Sequence, residues 1–242
     1  MTVRQRLRAA VKKWRRTLFE IAGSDRYSHF AINNLDYKLA GHIPCRDGVF
    51  IEAGANDGLT QSNTYWFERF RGWRGILIEP VPAMAAACLR NRPRATVINS
   101  ALVSTDETKS VRMQTARLMA FVSKSFARPE DEQRHLRAAI EVQQLESVAE
   151  IEVPARTLSS ILSELDVTRI DLLSLDVEGY EVEVLKGLDT ARHRPDFILV
   201  ETGRLPEVLE VLEGRYDAID QLSHHDHLLK ARAPLSSQET VS

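Results

Sequence analysis

The stretch GVFIEAGANDG, residues 48–58, decides the fold because it predicts a buried strand that ends in a glycine-containing turn. Gly54 and Gly58 mark a backbone under steric demand, and Asn56 between them is among the residues that best tolerate positive φ. Residues 75–80, GILIEP, predict a second strand, and the segment between the two strands has a helical pattern. This order is typical of a βαβ unit around a parallel sheet.

The same alternation continues along the chain but ends differently. Further strands are predicted at residues 95–102, 170–176 and 196–202, with helical segments between them. Two last strand-like runs, residues 216–222 and 227–232, are separated by only four residues, which can join antiparallel strands but cannot hold a crossover helix. The sequence therefore predicts an α/β fold with five parallel strands and a C-terminal β-hairpin.

The charge of the chain is unevenly distributed. Of 32 basic and 34 acidic residues among 242, seven basic residues and no acidic residue lie in residues 1–16. The remainder holds 25 basic and 34 acidic residues, and its apolar content is typical of a globular domain. Because binding to nucleic acid phosphates requires clustered lysine and arginine, this acidic body argues against nucleic acid as a partner.

The basic segment has the pattern of an amphipathic helix. Its apolar residues recur at spacings of three and four, and they are Val3, Leu7, Ala10, Val11, Trp14 and Leu18. Three interpretations stay open: the apolar face packs on the body or on a second subunit, residues 1–18 lie on an anionic membrane surface, or the segment is disordered. We expect a basic extension over residues 1–35, a single domain over residues 36–232 and a tail over residues 233–242.

The sequence has no pattern that predicts a disulfide framework, a membrane span or a secretory signal. Cys45 and Cys88 form no CxxC pair, so neither a disulfide framework nor a zinc site is predicted. No apolar run approaches the roughly 18 residues of a membrane span, and no secretory h-region follows the basic start. The expected location is the cytoplasm, with association to a membrane surface left open by the N-terminal segment.

Charges around the first turn favour one kind of nucleotide ligand. Glu79 ends the second strand, 21 residues beyond Gly58, where a carboxylate can accept hydrogen bonds from both ribose hydroxyls of an adenosine. Glu52 and Asp57 bracket the turn and would oppose a dinucleotide pyrophosphate, whereas they suit the ammonium and sulfonium groups of S-adenosylmethionine. The spacing also differs from GxGxxG. An NAD-dependent oxidoreductase and a non-catalytic adenosine-ligand-binding protein are the alternatives.

Four segments together resemble the FkbM family of S-adenosylmethionine-dependent methyltransferases. They are FIEAGANDGLTQSNTYWFE (50–68), GWRGILIEPVP (72–82), RTLSSIL (156–162) and IDLLSLDVEGYEVEVLKGL (170–188). The resemblance implies a class I, Rossmann-like fold with a mostly parallel seven-stranded sheet and helices on both faces. It also implies O-methylation of hydroxyl groups on sugars, macrolides, other secondary metabolites or cell-surface glycans.

The resemblance further implies which residues bind the donor. The turn from Glu52 to Gly58, with Gly54, Ala55 and Asn56, would hold the methionine moiety, and Ser62, Asn63 and Thr64 would lie near its carboxylate. Glu79 and Pro80 would bind the ribose, while Ser100 and Ala101 would lie beside the adenine.

Carboxylates at strand ends are the catalytic candidates, because methyl transfer to a hydroxyl needs alignment and removal of a proton. Asp176 ends the fourth strand and Glu178 follows it, so either could act as base or orient the donor. Asp176 could alternatively cap the next helix. Glu201 ends the fifth strand and shares these roles, and Glu181 is expected on a solvated helix face.

The terminal hairpin adds two weaker expectations. His225 belongs to a histidine cluster in the turn, and one histidine there could serve as base or contact substrate. Adjacent residues of a tight turn point in different directions, so they do not readily share one metal ion. A divalent ion held by Asp176, Glu201 and an aspartate of the hairpin is conceivable, but no spacing demands it.

Residues 104–150 interrupt the alternation and are expected to form an insertion. It leaves the sheet on the donor side and carries the apolar residues Leu118, Met119, Phe121 and Phe126, so it could be a lid for the acceptor or a homodimer contact. The resulting hypothesis is an O-methyltransferase that uses S-adenosylmethionine. Its acceptor would be a hydroxyl of a sugar, a glycolipid or a glycosylated secondary metabolite.

Overall fold

The computed structural model describes residues 3–115, 121–122 and 149–233. The helices in these ranges are α1 (Val3–Ile21), α2 (Leu35–His42), α3 (Tyr65–Arg71), α4 (Pro82–Asn91), α5 (Leu158–Glu164), α6 (Glu181–Lys186) and α7 (Leu205–Val211). The strands are β1 (Val49–Ala53), β2 (Arg74–Ile78), β3 (Thr96–Ile98), β4 (Ala101–Leu102), β5 (Ser110–Thr115), β6 (Phe121–Val122), β7 (Ala149–Arg156), β8 (Leu172–Leu175), β9 (Phe197–Glu201), β10 (Tyr216–Gln221) and β11 (Asp226–Ala231).

The main sheet has seven strands in the order β10-β11-β9-β8-β1-β2-β3. Strands β3, β2, β1, β8 and β9 are parallel, and the hairpin β10–β11 joins antiparallel to β9. The predicted five parallel strands and terminal hairpin are therefore confirmed. The strand order reverses between β1 and β8, and ligands of open α/β sheets bind outside the carboxyl ends at such a point.

Helices cover both faces of this sheet because its central strands are apolar on both sides. Phe50 and Leu172 pack into a core with Leu39 of α2 and Phe67 of α3. A second core on the other face joins strand residues such as Ile51 to helices α5, α6 and α7. Because both faces of the central strands are buried, successive residues along these strands are apolar.

The predicted third strand, residues 95–102, is wrong as one element. Strand β3 ends at Ile98, and β4 pairs with β7 outside the main sheet. Asn99 holds the break, since its Nδ2 donates to the carbonyl oxygens of Glu79 and Pro80 at 2.8 Å each. The chain therefore leaves the main sheet next to the carboxyl end of β2.

The insertion contributes a second sheet in the order β4-β7-β5-β6. Strand β5 coincides with a run of residues, 110–114, whose sequence is compatible with a short strand, whereas no strand was predicted where the eight-residue β7 lies. Pro154 lowers the strand propensity of that segment, and it lies opposite Ser110 at the end of the ladder. The lid residues Leu118, Met119 and Phe126 lie outside the described residues, and Phe121 is described only as backbone of β6.

The N-terminal segment forms the 19-residue helix α1. Its apolar face is exposed, so the expectation that this face packs on the chain's own body is wrong. The opposite side of the helix is the side that docks, through Glu20. In the part of the chain that the structure describes, no helix is long and apolar enough to cross a membrane.

Candidate active site

A cleft of about 920 Å³, including space open to solvent, lies at the carboxyl ends of β1, β2 and β8. Its walls are residues of the strand ends, the turns that follow them and the second sheet: Glu52, Ala53, Gly54, Ala55, Asn56, Thr60, Gln61, Ser62, Asn63, Ile78, Glu79, Pro80, Ser100, Ala101, Leu102, Met113, Ser174, Asp176, Val177, Glu178, Tyr180 and Val184.

The turn after β1 requires a residue without a side chain at position 54. Gly54 has a φ of 83°, and a Cβ atom there would lie 1.8 Å from the carbonyl oxygen of Asp176. The two strand ends therefore meet with backbone alone between them. Asn56 has a φ of 49°, which confirms the prediction of a left-handed residue at this point.

Glu79 closes this turn from the neighbouring strand. Its Oε2 accepts a hydrogen bond from the Asn56 N–H, and its Oε1 accepts one from the Val81 N–H, both at 2.8 Å. Burial raises the pKa of the Glu79 carboxyl to about 7. Each carboxylate oxygen keeps a second acceptor position, so Glu79 can still accept from ribose hydroxyls.

Glu52 organises the segment before α3. Its Oε2 accepts from the hydroxyls of Ser62 (2.9 Å) and Thr64 (2.6 Å), and its Oε1 accepts from the Asn63 N–H at 2.8 Å. One buried carboxylate thus satisfies three donors of a turn that lies outside regular structure. Ser62 and Asn63 reach the cleft, whereas Thr64 is fully buried behind it.

Arg92 is a structural determinant of the site that the sequence did not reveal. Its guanidinium has no solvent exposure and lies 2.8 Å from Glu68 and 3.7 Å from Glu52. It also donates to the carbonyl of Gly58 and to the hydroxyls of Ser62 and Thr64, at 3.1 Å each. Arg92 follows the last residue of α4 and precedes Pro93, and nothing in this sequence context indicated that its side chain is buried among carboxylates.

Asn63 presents an unpartnered acceptor to the cleft. Its Nδ2 donates to the hydroxyl of Ser174 at 3.0 Å, and its Oδ1 has no hydrogen-bond partner although the residue is only 8% exposed. Buried polar groups in native proteins are normally satisfied, so this oxygen fits a ligand donor. The ammonium of S-adenosylmethionine is a donor of this kind.

Carboxylates converge at the end of β8. Asp176 is hydrogen-bonded to Glu201 and lies near Glu178 and Glu181. Burial, followed by the charges of these neighbours, raises the pKa of Asp176 well above its usual range. Burial and the charge of Glu201 likewise raise the pKa of Glu178 to about 8. Perturbation of this kind in a cleft is typical of a functional site.

The turn that carries Glu178 is held in a sparsely populated conformation. Glu178 has a φ of 55° and Gly179 one of 94°. Arg204 donates to the carbonyl of Gly179 at 2.6 Å, and Glu181 accepts from its N–H at 2.8 Å. The expectation that Glu181 lies on a solvated helix face is therefore wrong: Glu181 is buried because it caps this turn.

The predicted site residues divide into two groups. The cleft brings together Glu52, Gly54, Ala55, Asn56, Ser62, Asn63, Glu79, Pro80, Ser100, Ala101, Asp176 and Glu178. Gly58, Thr64, Glu201 and His225 do not line it: Gly58 and Thr64 contact Arg92, and Glu201 lies behind Asp176. His225 is exposed in the hairpin turn.

Metal binding has no support in the described ranges. Among residues 3–115, 121–122 and 149–233, no group of three or more histidine, cysteine, aspartate or glutamate side chains is arranged to hold a metal ion.

The sheet order and the cleft at the carboxyl ends of its strands, with Glu79 and the turn at Gly54 in its wall, are those of a class I, Rossmann-like methyltransferase, whose cofactor is S-adenosylmethionine. A scan against family models matches the methyltransferase FkbM domain over residues 52–230. The chain belongs to the FkbM methyltransferase family.

Three individual proteins are similar to this chain. Methyltransferase sdnD of Sordaria araneosa is 26% identical over 233 residues, covering 81% of this chain and 88% of that protein. A TehB-like SAM-dependent methyltransferase from Corynebacterium glutamicum is similar at 13% identity and a TM-score of 0.39, over 93% of this chain and 95% of that one. The 1,6-didemethyltoxoflavin-N1-methyltransferase of Burkholderia thailandensis is similar at 13% identity and a TM-score of 0.38, over 96% and 91%.

Proposed function

We propose that this methyltransferase is an O-methyltransferase whose acceptor is a hydroxyl of a sugar, a glycolipid or a glycosylated secondary metabolite. The observation that carries the proposal is the carboxylate cluster of Asp176, Glu178 and Glu201 at the cleft. A neutral amine can attack a methyl group without prior loss of a proton, whereas a hydroxyl benefits from a base in the transition state. A cluster of carboxylates at the cleft, in which the partly buried Asp176 and Glu178 line the wall, supports a hydroxyl as the acceptor.

The donor end of the cleft fits S-adenosylmethionine. Glu79 would accept from the ribose hydroxyls, and Asn63 Oδ1 would accept from the ammonium. When bound, the cofactor supplies an electrophilic methyl group on a positively charged sulfur. Ionised carboxylates beside that charge are stabilised, which lowers the pKa of Asp176 and Glu178 and readies them as proton acceptors.

The proton of the acceptor hydroxyl would pass to this cluster. Burial raises the pKa of both Asp176 and Glu201, and the two side chains are hydrogen-bonded to each other, with Asp176 as the donor. Glu178, with a pKa of about 8, is within reach of the range in which a general base works best. We assign the base role to Glu178, with the hydrogen-bonded pair of Asp176 and Glu201 sharing a proton beside it.

The acceptor would lie between the carboxylates and the second sheet. Leu102 of β4, Met113 of β5 and Tyr180 ahead of α6 line that part of the cleft. Apolar walls together with carboxylate acceptors suit a sugar, which presents both C–H faces and hydroxyl groups. Leu102 and Met113 belong to the second sheet, and Met113 lies in the insertion, so we expect the insertion to take part in acceptor selection.

The test is a methyl-transfer screen over sugars, glycolipids and polyketide glycosides, with amines included, that follows formation of S-adenosylhomocysteine. Asp176→Asn and Glu178→Gln are expected to lower turnover on the best hydroxyl acceptor by about 10²-fold or more. Their affinity for S-adenosylhomocysteine, measured by calorimetry, is expected to stay within about threefold of the parent protein.

Glu183→Gln is the matched control, because Glu183 lies on α6 and pairs with Lys186 outside the cleft. It is expected to leave turnover unchanged. Transfer to amines with none to hydroxyls would refute the proposal. Full turnover in both carboxylate variants would refute the assignment of the base.

A further inference from the structure

One side of α1 carries an apolar stripe that the described part of the chain leaves exposed. Trp14 is 67% exposed and Leu7 65%. Along the helix, the stripe consists of Leu7, Val11, Trp14, Leu18 and Ile21. Since an α-helix rises about 1.5 Å per residue, this stripe is about 21 Å long. A contiguous exposed apolar surface of this kind marks an interaction site.

The helix is fixed to the domain by its other side, so the stripe faces away from the body. Glu20 accepts from the hydroxyl of Tyr65 at 2.6 Å, from Arg69 Nε at 3.0 Å and from the hydroxyl of Ser28 at 2.8 Å. At about 100° per residue, Glu20 lies about 160° around the helix from Leu18. Docking through one side therefore presents the apolar side outward.

Basic residues border the stripe. Arg4, Arg8, Lys12 and Lys13 are all exposed, and residues 1–16 contain no acidic residue. Packing the stripe against the same stripe of a second copy would bring two strongly basic segments together, and Glu20, which pairs with Arg16, is the one acidic residue of α1. Anionic lipid compensates this charge and accepts the apolar side chains at the same time.

We infer that α1 binds the surface of membranes containing anionic lipid and holds the enzyme there. The helix lies in the plane of the surface, with Leu7, Val11, Trp14 and Leu18 among the acyl chains and the basic residues at the headgroups. The methyltransferase domain faces the aqueous side, attached through Glu20 and Tyr65. This inference does not depend on the identity of the acceptor.

Trp14 gives a direct readout on the full chain. It is the exposed one of the three tryptophans, since Trp66 and Trp73 are buried. Vesicles of phosphatidylcholine mixed with phosphatidylglycerol are expected to sediment the protein and to shift its emission to shorter wavelength. Vesicles of phosphatidylcholine alone are expected to bind it far less, and raising the salt concentration is expected to weaken binding.

A pair of charge-matched variants locates the contact. Leu7→Glu/Val11→Glu is expected to weaken partitioning onto the mixed vesicles by about tenfold or more, because it removes apolar contact and adds negative charge. Leu89→Glu/Ile219→Glu makes the same change at two exposed apolar residues elsewhere and is expected to alter partitioning by less than about threefold. Binding of S-adenosylhomocysteine by each variant confirms that it is folded.

Three results would overturn the inference. The parent protein could fail to sediment with the mixed vesicles at low salt, or the two double variants could weaken binding equally. The parent protein could also fail to bind vesicles and be a dimer in gel filtration, with Leu7→Glu/Val11→Glu converting that dimer to a monomer. The last result would assign the stripe to a second copy of this chain.

Discussion

Replacement of Arg92 by methionine is expected to destabilise the protein severely and to disorder its donor site. The guanidinium is fully buried, 2.8 Å from Glu68 and 3.7 Å from Glu52. Methionine fills much of the same volume but leaves both carboxylates without their cation. Removal of one partner of a buried ion pair costs about 3–5 kcal/mol. For a chain of this size, that loss corresponds to a decrease in Tm of about 6–20 °C.

The assay is urea unfolding of the parent protein and of Arg92→Met, with the Tm measured alongside. Arg90→Met is the matched control, because Arg90 is exposed on the same helix. Affinity for S-adenosylhomocysteine is expected to decrease in Arg92→Met, since Arg92 holds the carbonyl of Gly58 and the hydroxyl of Ser62.

A double variant tests the electrostatic part of the reasoning. Glu68→Gln added to Arg92→Met removes one of the two buried carboxylates that have lost their cation, so the double variant is expected to recover part of the lost stability. A loss below about 1 kcal/mol in Arg92→Met, or no recovery in the double variant, would refute the view that Arg92 compensates the buried carboxylates.

Three further predictions concern the cleft. Gly54→Ala is expected to abolish donor binding in calorimetry, because its Cβ would lie 1.8 Å from the carbonyl oxygen of Asp176; normal affinity would contradict the described turn. Asn63→Leu is expected to weaken S-adenosylhomocysteine binding by about tenfold or more, the value of a hydrogen bond to a charged group, and an unchanged Kd would show that Oδ1 does not meet the ammonium. Burial raises the pKa of Glu178 to about 8 in the folded protein, so the stability contributed by its proton is complete below about pH 4.5 and is lost as the pH rises through 8. Ligand-free protein is therefore expected to have a lower Tm at pH 9 than at pH 6, and Glu178→Gln is expected to reduce that difference; an identical pH profile in the variant would contradict the raised pKa.

Sequence patterns were sufficient for the sheet because its determinants are local. Apolar runs long enough to be buried on both faces predicted the parallel strands, and a four-residue gap predicted the hairpin. The left-handed conformation of Asn56 followed from its position between two glycines. The third strand was mispredicted because Asn99 breaks it through contacts with Glu79 and Pro80, which are distant in sequence.

By itself, the sequence predicted the class of this protein, through the parallel strands with their terminal hairpin, the turn at Gly54, the carboxylate at Glu79 and the resemblance to the FkbM family. Only the tertiary structure decided how the site is held together and which surfaces stay free. The donors that converge on Glu52, the burial of Arg92 and the orphaned oxygen of Asn63 arise where segments far apart in the chain meet. The outward direction of the α1 stripe depends likewise on where Glu20 docks. Periodicity specifies that a helix has an apolar side, whereas packing determines what that side faces.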